Sequence, residues 1–203
     1  MDSDTYKTIK SLSGGIYKEK GSRFISVALP FTDPDEIKQI IDKIRKEHHE
    51  AKHHCFAYMI GHERNLWRIS DDGEPSGTAG RPILGQINSQ GLTNILIVVS
   101  RYFGGTLLGV SGLINAYRTA AASAIENGEL VERTLHEYYE ITYPYISMND
   151  VMRILKEENA GQSFQSFDLE CRIVINFRVL HKDKILTRLS RIDGLKSVHL
   201  ETR

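Results

Sequence analysis

The sequence predicts an α+β protein with two domains, a mixed α/β domain over residues 1–132 and a smaller βαββαβ domain over residues 133–203. Stretches with helical periodicity alternate with strand-like stretches along the chain. A length of 203 residues is enough for two small domains, each with its own core. Repeats with a period of roughly 20–50 residues are absent, which argues against a solenoid or propeller.

The first domain opens with two predicted strands and a helix. The segment GIYKEKGSRFISVALP predicts two short strands around Gly21. In TDPDEIKQIIDKIRKEHHE, Asp33 suits the N-cap, Pro34 the first helical position and Glu36 a capping box. Four isoleucines then recur at i, i+3, i+4 and i+7, so one face of this helix is expected to be buried.

The middle of the chain predicts three strands and two further helices. HHCFAYMIG and NLWRIS are expected to be strands on either side of a turn, and a short helix follows around Ile83–Ser89. NILIVVSRYF is almost continuously apolar, which is typical of a strand buried on both faces. The alanine-rich LINAYRTAAASAIENG predicts a helix that ends at Asn127-Gly128.

The second domain has its own order of elements. HEYYEITYPY predicts a strand, SMNDVMRILKEENA a helix, and QSFQSFDLECRIVINFRVL two strands. KDKILTRLSRIDG then predicts a helix and LKSVHLET a final strand. This order is that of the split βαβ, or ferredoxin-like, plan.

Charge and composition narrow the possible partners. Lys+Arg and Asp+Glu number 26 each, so the formal net charge is zero, and an RNA-binding role would require a local basic patch. The N-terminus has no apolar signal segment, and the apolar run Ile95–Val99 is too short to span a bilayer. Cys55 and Cys171 give no disulfide framework. We therefore expect a cytoplasmic protein that does not act at a membrane and shows no DNA specificity.

Two groupings around the histidines suggest chemistry. HEAKH, residues 49–53, matches the letters of a zinc-protease motif, which needs both histidines on one helical face. The helical pattern has ended by then, and in a strand the two histidines would lie ~13 Å apart. His53, His54 and Cys55 could form a metal site or an activated thiol, whereas the simpler interpretation makes Cys55 a small buried residue of a strand.

The stretch SDDGEPSGTAGRP contains three carboxylates among turn residues. Asp71, Asp72 and Glu74 suit acid–base chemistry or a hard cation. Asp-Gly and Glu-Pro are equally typical of turns. Since no partner nucleophile is visible, a turn or a recognition surface is favoured, with Arg81 at its end.

RYFGGTLLG places a Gly-Gly pair between a buried strand and a helix. Exposed amides of Gly104 and Gly105 with the helix N-terminus can hold an anion, and Arg101 is either an anion ligand or the partner of an Asp. Close backbone packing explains the glycines equally well. The stretch is neither a P-loop nor a dinucleotide fingerprint, because the lysine and the G-x-G-x-x-G spacing are missing. Tyrosines 138, 139, 143 and 145 suit base stacking or, more commonly, a core.

SDDGEPSGTAGRPIL and GLTNILIVVSRYFGGTLLGVSGLINAYRTAA together resemble the Impact family, and the two-domain layout resembles its bacterial branch, the YigZ-type proteins. Upstream, KGSRFIS and AKHHCFAYMIG are also similar to family segments. The resemblance covers about the first 130 residues. The family pattern falls on Gly80, Ile83, Leu84, Ile87, Leu92, Val98, Val99, Arg101, Tyr102, Phe103, Gly104, Gly105, Leu108 and Gly109.

The resemblance implies a fold and a setting. It implies a first domain similar to the second domain of a small-subunit ribosomal protein and a second domain similar to the ferredoxin-like domains of elongation factor G. Modules of both kinds occur in proteins that act on RNA or the ribosome. The expected partner is therefore RNA, the ribosome or a translation factor, and the protein is expected to have a role in regulating translation. The partner-binding domain of eukaryotic relatives is not seen here, so their kinase-pathway role does not carry over.

The leading hypothesis is a non-enzymatic binding protein without a catalytic residue, cofactor or metal. Its expected binding surface comprises Arg23, His54, Asp71, Asp72, Glu74, Arg81, Arg101, Gly104 and Gly105. One alternative is a metal- or thiol-dependent hydrolase or phosphoryl-handling enzyme that uses these carboxylates or the Cys55/His54 pair. Another is an assembly module whose tyrosine-bearing second domain docks a partner.

Overall fold

The computed structural model of the chain describes residues 4–166 and 170–203. Within these residues it contains five α-helices and eleven strands, which confirms the predicted α+β class. The described residues divide into an N-terminal unit, Tyr6–Arg133, and a C-terminal unit that comprises Asp4, Thr5 and the residues from Thr134 to Arg203. No helix in the described part of the chain is both long and apolar enough to cross a membrane.

The N-terminal unit is built on an antiparallel sheet of five strands within the described residues. Its strands are β2 (Ser13–Glu19), β3 (Ser22–Pro30), β4 (His53–Ile60), β5 (Leu66–Ser70) and β6 (Ile95–Tyr102). The spatial order is β2-β3-β6-β4-β5, with β6 in the centre and buried along almost its whole length, as its apolar sequence predicted.

Helices cover both faces of this sheet. Helix α1 (Ile37–Glu47) packs on one face through Ile41 and Ile44, against side chains such as Leu96 and Val98 of β6. Helices α2 (Gly80–Ser89) and α3 (Gly109–Glu126) cover the other face, where Ile95, Ile97 and Val99 point. Alternate residues of β6 thus enter two separate cores.

The helix starts differ from the predicted ones. Asp33 does accept a cap hydrogen bond, from the amide of Asp35 at 2.9 Å, but it caps a short 3-10 turn over Pro34–Glu36, and α1 follows that turn. Helix α2 begins at Gly80 rather than near Ile83, and α3 begins at Gly109. Two strands were not predicted: β1 (Thr5–Ile9) and β7 (Leu130–Thr134) pair in a small sheet. Both segments contain several polar residues, so neither shows the apolar pattern from which a strand is predicted.

The C-terminal unit shows the predicted order of elements. These are β8 (His136–Pro144), α4 (Met148–Glu157), β9 (Gly161–Ser166), β10 (Glu170–Arg178), α5 (Lys182–Leu189) and β11 (Lys196–Thr202). The predicted two-strand stretch holds β9 and β10, and residues 167–169 lie outside the described part. The strand order is β11-β8-β10-β9, all antiparallel. Tyr139 and Tyr143 are buried in the core against the helices, so their rings are not open to bases.

Candidate functional site

The loop between β5 and α2 is organised by Asp71. One carboxylate oxygen, Oδ1, accepts hydrogen bonds from the amides of Ala79 and Gly80 at 3.0 and 2.8 Å, and Oδ2 accepts one from the amide of Gly77 at 2.8 Å. Amides at the first turn of a helix have no partner within the helix, and a carboxylate there also complements the helix dipole. Asp71 therefore acts as a cap for α2, supplied from outside the helix.

Asp72 ties this loop to the end of β4. Its carboxylate accepts from the Arg45 guanidinium and from the backbone amide of His54, both at 2.7 Å. Asp72 and Gly73 both have positive φ, +41° and +86°, and the Glu74 amide donates to the Asp71 carbonyl. This is a tight turn of the kind that Asp-Gly favours, as the sequence suggested.

Glu74 lies inside the fold. Its Oε1 accepts from Arg101 Nη1 at 2.7 Å and from the Tyr117 hydroxyl at 2.8 Å. The sequence led us to expect Glu74 and Arg101 on a binding surface. They are only 8% and 6% exposed, so this expectation does not hold for these two residues. An acidic residue is buried at low cost only when it is paired and hydrogen-bonded, as here.

The neighbouring residues Cys55 and His54 point to opposite faces of the sheet. The Cys55 thiol donates to the Asp71 carbonyl at 3.0 Å and contacts the Tyr117 hydroxyl, and burial raises its pKa well above the usual range. The His54 ring lies on the α1 side, where Nε2 is 3.3 Å from the His48 carbonyl oxygen and burial lowers its pKa. The two side chains therefore do not form a thiol–imidazole pair, and the thiol stays protonated.

Arg23 belongs to a different, open part of the sheet. It faces the α1 side at an end of the sheet, and its guanidinium carbon lies 4.3 Å from the centroid of the Tyr102 ring. The Tyr102 hydroxyl is 2.9 Å from His48 Nδ1, which holds the ring in place. In the strand register Lys18 pairs with Arg23 and Arg23 with Tyr102, so three neighbouring strands contribute to one row.

This row borders a groove of about 440 Å³, lined by residues 18–23 and Tyr102. Lys18, Lys20 and Arg23 are exposed, and none of them forms an ion pair with any acidic side chain among the described residues. The lone carboxylate of the groove, Glu19, accepts from the Tyr17 hydroxyl at 2.9 Å. We call this surface the Lys18–Tyr102 groove.

Gly104, which follows β6, packs closely against the turn that forms part of the groove. A Cβ on Gly104 would meet the backbone carbon of Gly21 at 1.9 Å, and the Gly104 amide donates to Ser22 Oγ at 3.2 Å. Lys20 and Gly21 form the two-residue turn of the β2–β3 hairpin, both with positive φ. The Gly-Gly pair is thus explained first by close packing, although Gly105, with φ +84° and open space around it, stays exposed.

The predicted site residues therefore fall into three places. Asp71, Asp72, Glu74, His54 and Arg101 make hydrogen bonds within the fold; Glu74, His54 and Arg101 are buried, and Asp71 and Asp72 are half-buried. Arg23, Gly104 and Gly105 lie at or beside the groove. Arg81 lies apart from both groups, exposed on the first turn of α2. Sequence reasoning assigned no site role to Lys18, Lys20 and Tyr102, although the two-residue turn at Lys20-Gly21 would have placed Lys18 opposite Arg23.

The HEAKH match lies off any helix, as expected, because α1 ends at Glu47 and His53 opens β4. Within residues 4–166 and 170–203, no group of three or more His, Cys, Asp or Glu side chains is arranged to hold a metal ion.

Comparison with known proteins agrees with the motif pattern. The Impact N-terminal domain matches residues 20–125. YvyE of Bacillus subtilis, an IMPACT family member, is 35% identical over 153 residues, 75% of this chain and 70% of that protein. YigZ of Escherichia coli is 39% identical over 132 residues, 61% of this chain and 65% of that protein.

More distant matches point the same way. Protein IMPACT of Homo sapiens is 32% identical over 96 residues, 45% of this chain and 29% of that protein. A crystal structure of a hypothetical protein superposes with a TM-score of 0.71 at 25% identity, covering 97% of this chain and 98% of the other. The matched domain spans more than half of the sequence, and with these identities it shows that the chain belongs to the Impact family.

Proposed function

We propose that this protein is a non-enzymatic RNA-binding protein of the translation apparatus and that it holds RNA in the Lys18–Tyr102 groove. The observation that carries the proposal is the contrast between two sets of charges. The loop carboxylates each satisfy internal donors, whereas Lys18, Lys20 and Arg23 remain exposed and unpaired among the described residues. Such cations can neutralise phosphates despite a net charge of zero for the whole chain.

The alternative of an enzyme finds less support in the same geometry. A general base or a nucleophile needs a group that substrate can reach and that is free to exchange a proton. Glu74 is buried against Arg101 and Tyr117, and burial keeps the Cys55 thiol protonated. These contacts favour a structural role for both groups.

The proposal extends to the domain analogies. We propose residues 1–132 as a domain similar to the second domain of a small-subunit ribosomal protein and residues 133–203 as one similar to the ferredoxin-like domains of elongation factor G. The strand order β11-β8-β10-β9 with helices on one face supports the second analogy. Family membership supports a role in translation, and an Impact-type protein without catalytic residues would act there by binding.

A salt series tests the proposal. Binding of a labelled random-sequence RNA pool is measured by fluorescence polarisation for the native protein and for the triple variant Lys18→Ala/Lys20→Ala/Arg23→Ala. If three phosphates are neutralised, the logarithm of the affinity falls with the logarithm of salt with a slope of about −2, and the triple variant loses most of that slope.

The control removes the same charge elsewhere. Lys38, Lys43 and Lys46 are exposed on α1, and their replacement by alanine should leave both affinity and slope unchanged. No RNA binding at low salt, or equal losses in the two triple variants, would refute the proposal.

A further inference from the structure

The groove offers a flat cationic plane in addition to its charges. Arg23 is exposed, and one face of its guanidinium is covered by the Tyr102 ring at 4.3 Å. A planar ligand would therefore approach the opposite face. Guanidinium planes and aromatic rings are the groups on which proteins stack unpaired RNA bases.

Contacts within the fold hold the ring beneath this plane. The hydroxyl of Tyr102 is tied to His48, and Arg23 and Tyr102 are paired residues on adjacent strands. A platform that is already ordered loses little conformational freedom when a ligand binds, so its stacking energy appears as affinity. The contact of Gly104 with Gly21 fixes the turn that forms the opposite edge of the groove.

The size and charge of the groove suit one strand. Its volume of about 440 Å³ lies in the range of pockets for single small ligands, roughly 300–1,000 Å³. The cations Lys18 and Lys20 lie within the same short hairpin as Arg23. Proteins that bind double-stranded RNA instead contact two successive minor grooves over about 16 base pairs, and the bases stay stacked inside the duplex.

We propose, on the basis of the function proposed above, that the Lys18–Tyr102 groove binds single-stranded rather than double-stranded RNA. One base stacks on the outer face of the Arg23 guanidinium, and Lys18 and Lys20 hold neighbouring phosphates. Glu19 does not face the strand, because it follows Lys18 in β2 and points to the opposite face of the sheet, where its carboxylate accepts from Tyr17. The charges supply attraction to any RNA, and the stack selects an unpaired base.

The test compares one labelled oligouridine strand free and annealed to its complement, at equal salt. The native protein should bind the free strand more tightly. Arg23→Lys keeps the charge but removes the plane, so it should weaken binding of the free strand by roughly 5-fold or more, the lower range of base-stacking effects. It should leave duplex binding and both salt slopes unchanged.

Variants of Tyr102 complete the test. Tyr102→Phe keeps the ring and loses only the hydroxyl contact with His48, so it should retain most of the affinity for the free strand. Tyr102→Leu removes the ring and should lose more of that affinity, with the folding of both variants checked by urea unfolding. Equal binding of strand and duplex, or an Arg23→Lys variant that binds both as tightly as before, overturns the stacking proposal and leaves the charge-based function intact. Failure to bind either RNA refutes the proposed function itself.

Discussion

The Arg101 guanidinium donates to the Glu74 carboxylate at 2.7 Å across a distance of 27 residues in sequence, and the Tyr117 hydroxyl donates to the same oxygen. The three side chains come from β6, the loop before α2, and α3, so they join the sheet to the layer of helices on one face. Because the pair is shielded from water, neither charge can be removed without leaving the other one buried.

We expect Glu74→Gln to destabilise the protein by about 3 kcal/mol, since Arg101 would keep a buried charge without a counter-ion. Urea unfolding measures the loss. Adding Arg101→Met should recover part of it, because the double variant removes both charges. A Glu74→Gln protein as stable as the native one, yet unable to bind RNA, would instead assign Glu74 to recognition.

Gly104→Ala should also destabilise the protein, by about 1–3 kcal/mol as overpacked sites do, because the added Cβ meets the backbone of Gly21. Backbone atoms cannot swing aside as a side chain can. Gly85 is the matched control: it lies in α2 with nothing near its Cβ position, and alanine there should be neutral or stabilising by up to about 1 kcal/mol. Equal unfolding midpoints for the two variants would contradict the close contact.

Asp71→Ala removes the acceptor of three amide hydrogen bonds at the start of α2. We expect a loss of about 1–2 kcal/mol, the upper range for helix caps. Asp150→Ala serves as the comparison, because the exposed Asp150–Arg153 pair within α4 contributes at most about 0.5 kcal/mol. Chemical unfolding followed by circular dichroism gives both values, and losses of similar size would argue against the cap.

Stability should fall as pH drops below the ordinary value for histidine. Burial lowers the pKa of His54 from 6.5, so the folded state keeps this ring neutral while the unfolded chain takes up a proton. More protons bound by the unfolded state means that stability rises with pH between the folded and unfolded pKa values and is lost below that window.

The measurement is the free energy of unfolding between pH 7 and about 5, above the range in which Asp4, Glu137 and Glu158, whose pKa values are lowered, contribute. His54→Gln should flatten this pH dependence, and His62→Gln, at an exposed position, should not. A native protein whose stability stays constant over this range would show that His54 titrates normally.

Local sequence patterns were enough to predict most of the helices and strands. The continuous apolar run of β6, the alanines of α3 and the turn around Gly21 are each patterns within a few residues, and the predicted elements appear there. The pairing of β1 with β7 was missed because it joins segments about 120 residues apart, as the Lys10–Glu129 ion pair illustrates. Such pairing depends on tertiary packing rather than on local propensity.

The candidate site was harder to predict from the sequence than the fold. Burial of Glu74 depends on tertiary packing that brings Arg101 of β6 and Tyr117 of α3 to the loop, and no local sequence pattern predicts that meeting. The separation of Arg101 from Tyr102 could have been inferred, since consecutive residues of a strand face opposite sides. Applied to RYF, that rule places Arg101 on the face of the buried Glu74 and Tyr102 on the opposite face, beside the exposed groove.

The contact of Gly104 with the hairpin turn also determines when, during synthesis, the Lys18–Tyr102 groove can be completed. Gly104 and Ser22 are 82 residues apart, and Tyr102 must reach Arg23 from the same distant segment. During synthesis the hairpin is therefore complete long before its aromatic partner emerges from the ribosome. A nascent chain that ends before β6 carries the three cations without the platform, so the groove arises only once the whole central strand has been made and inserted.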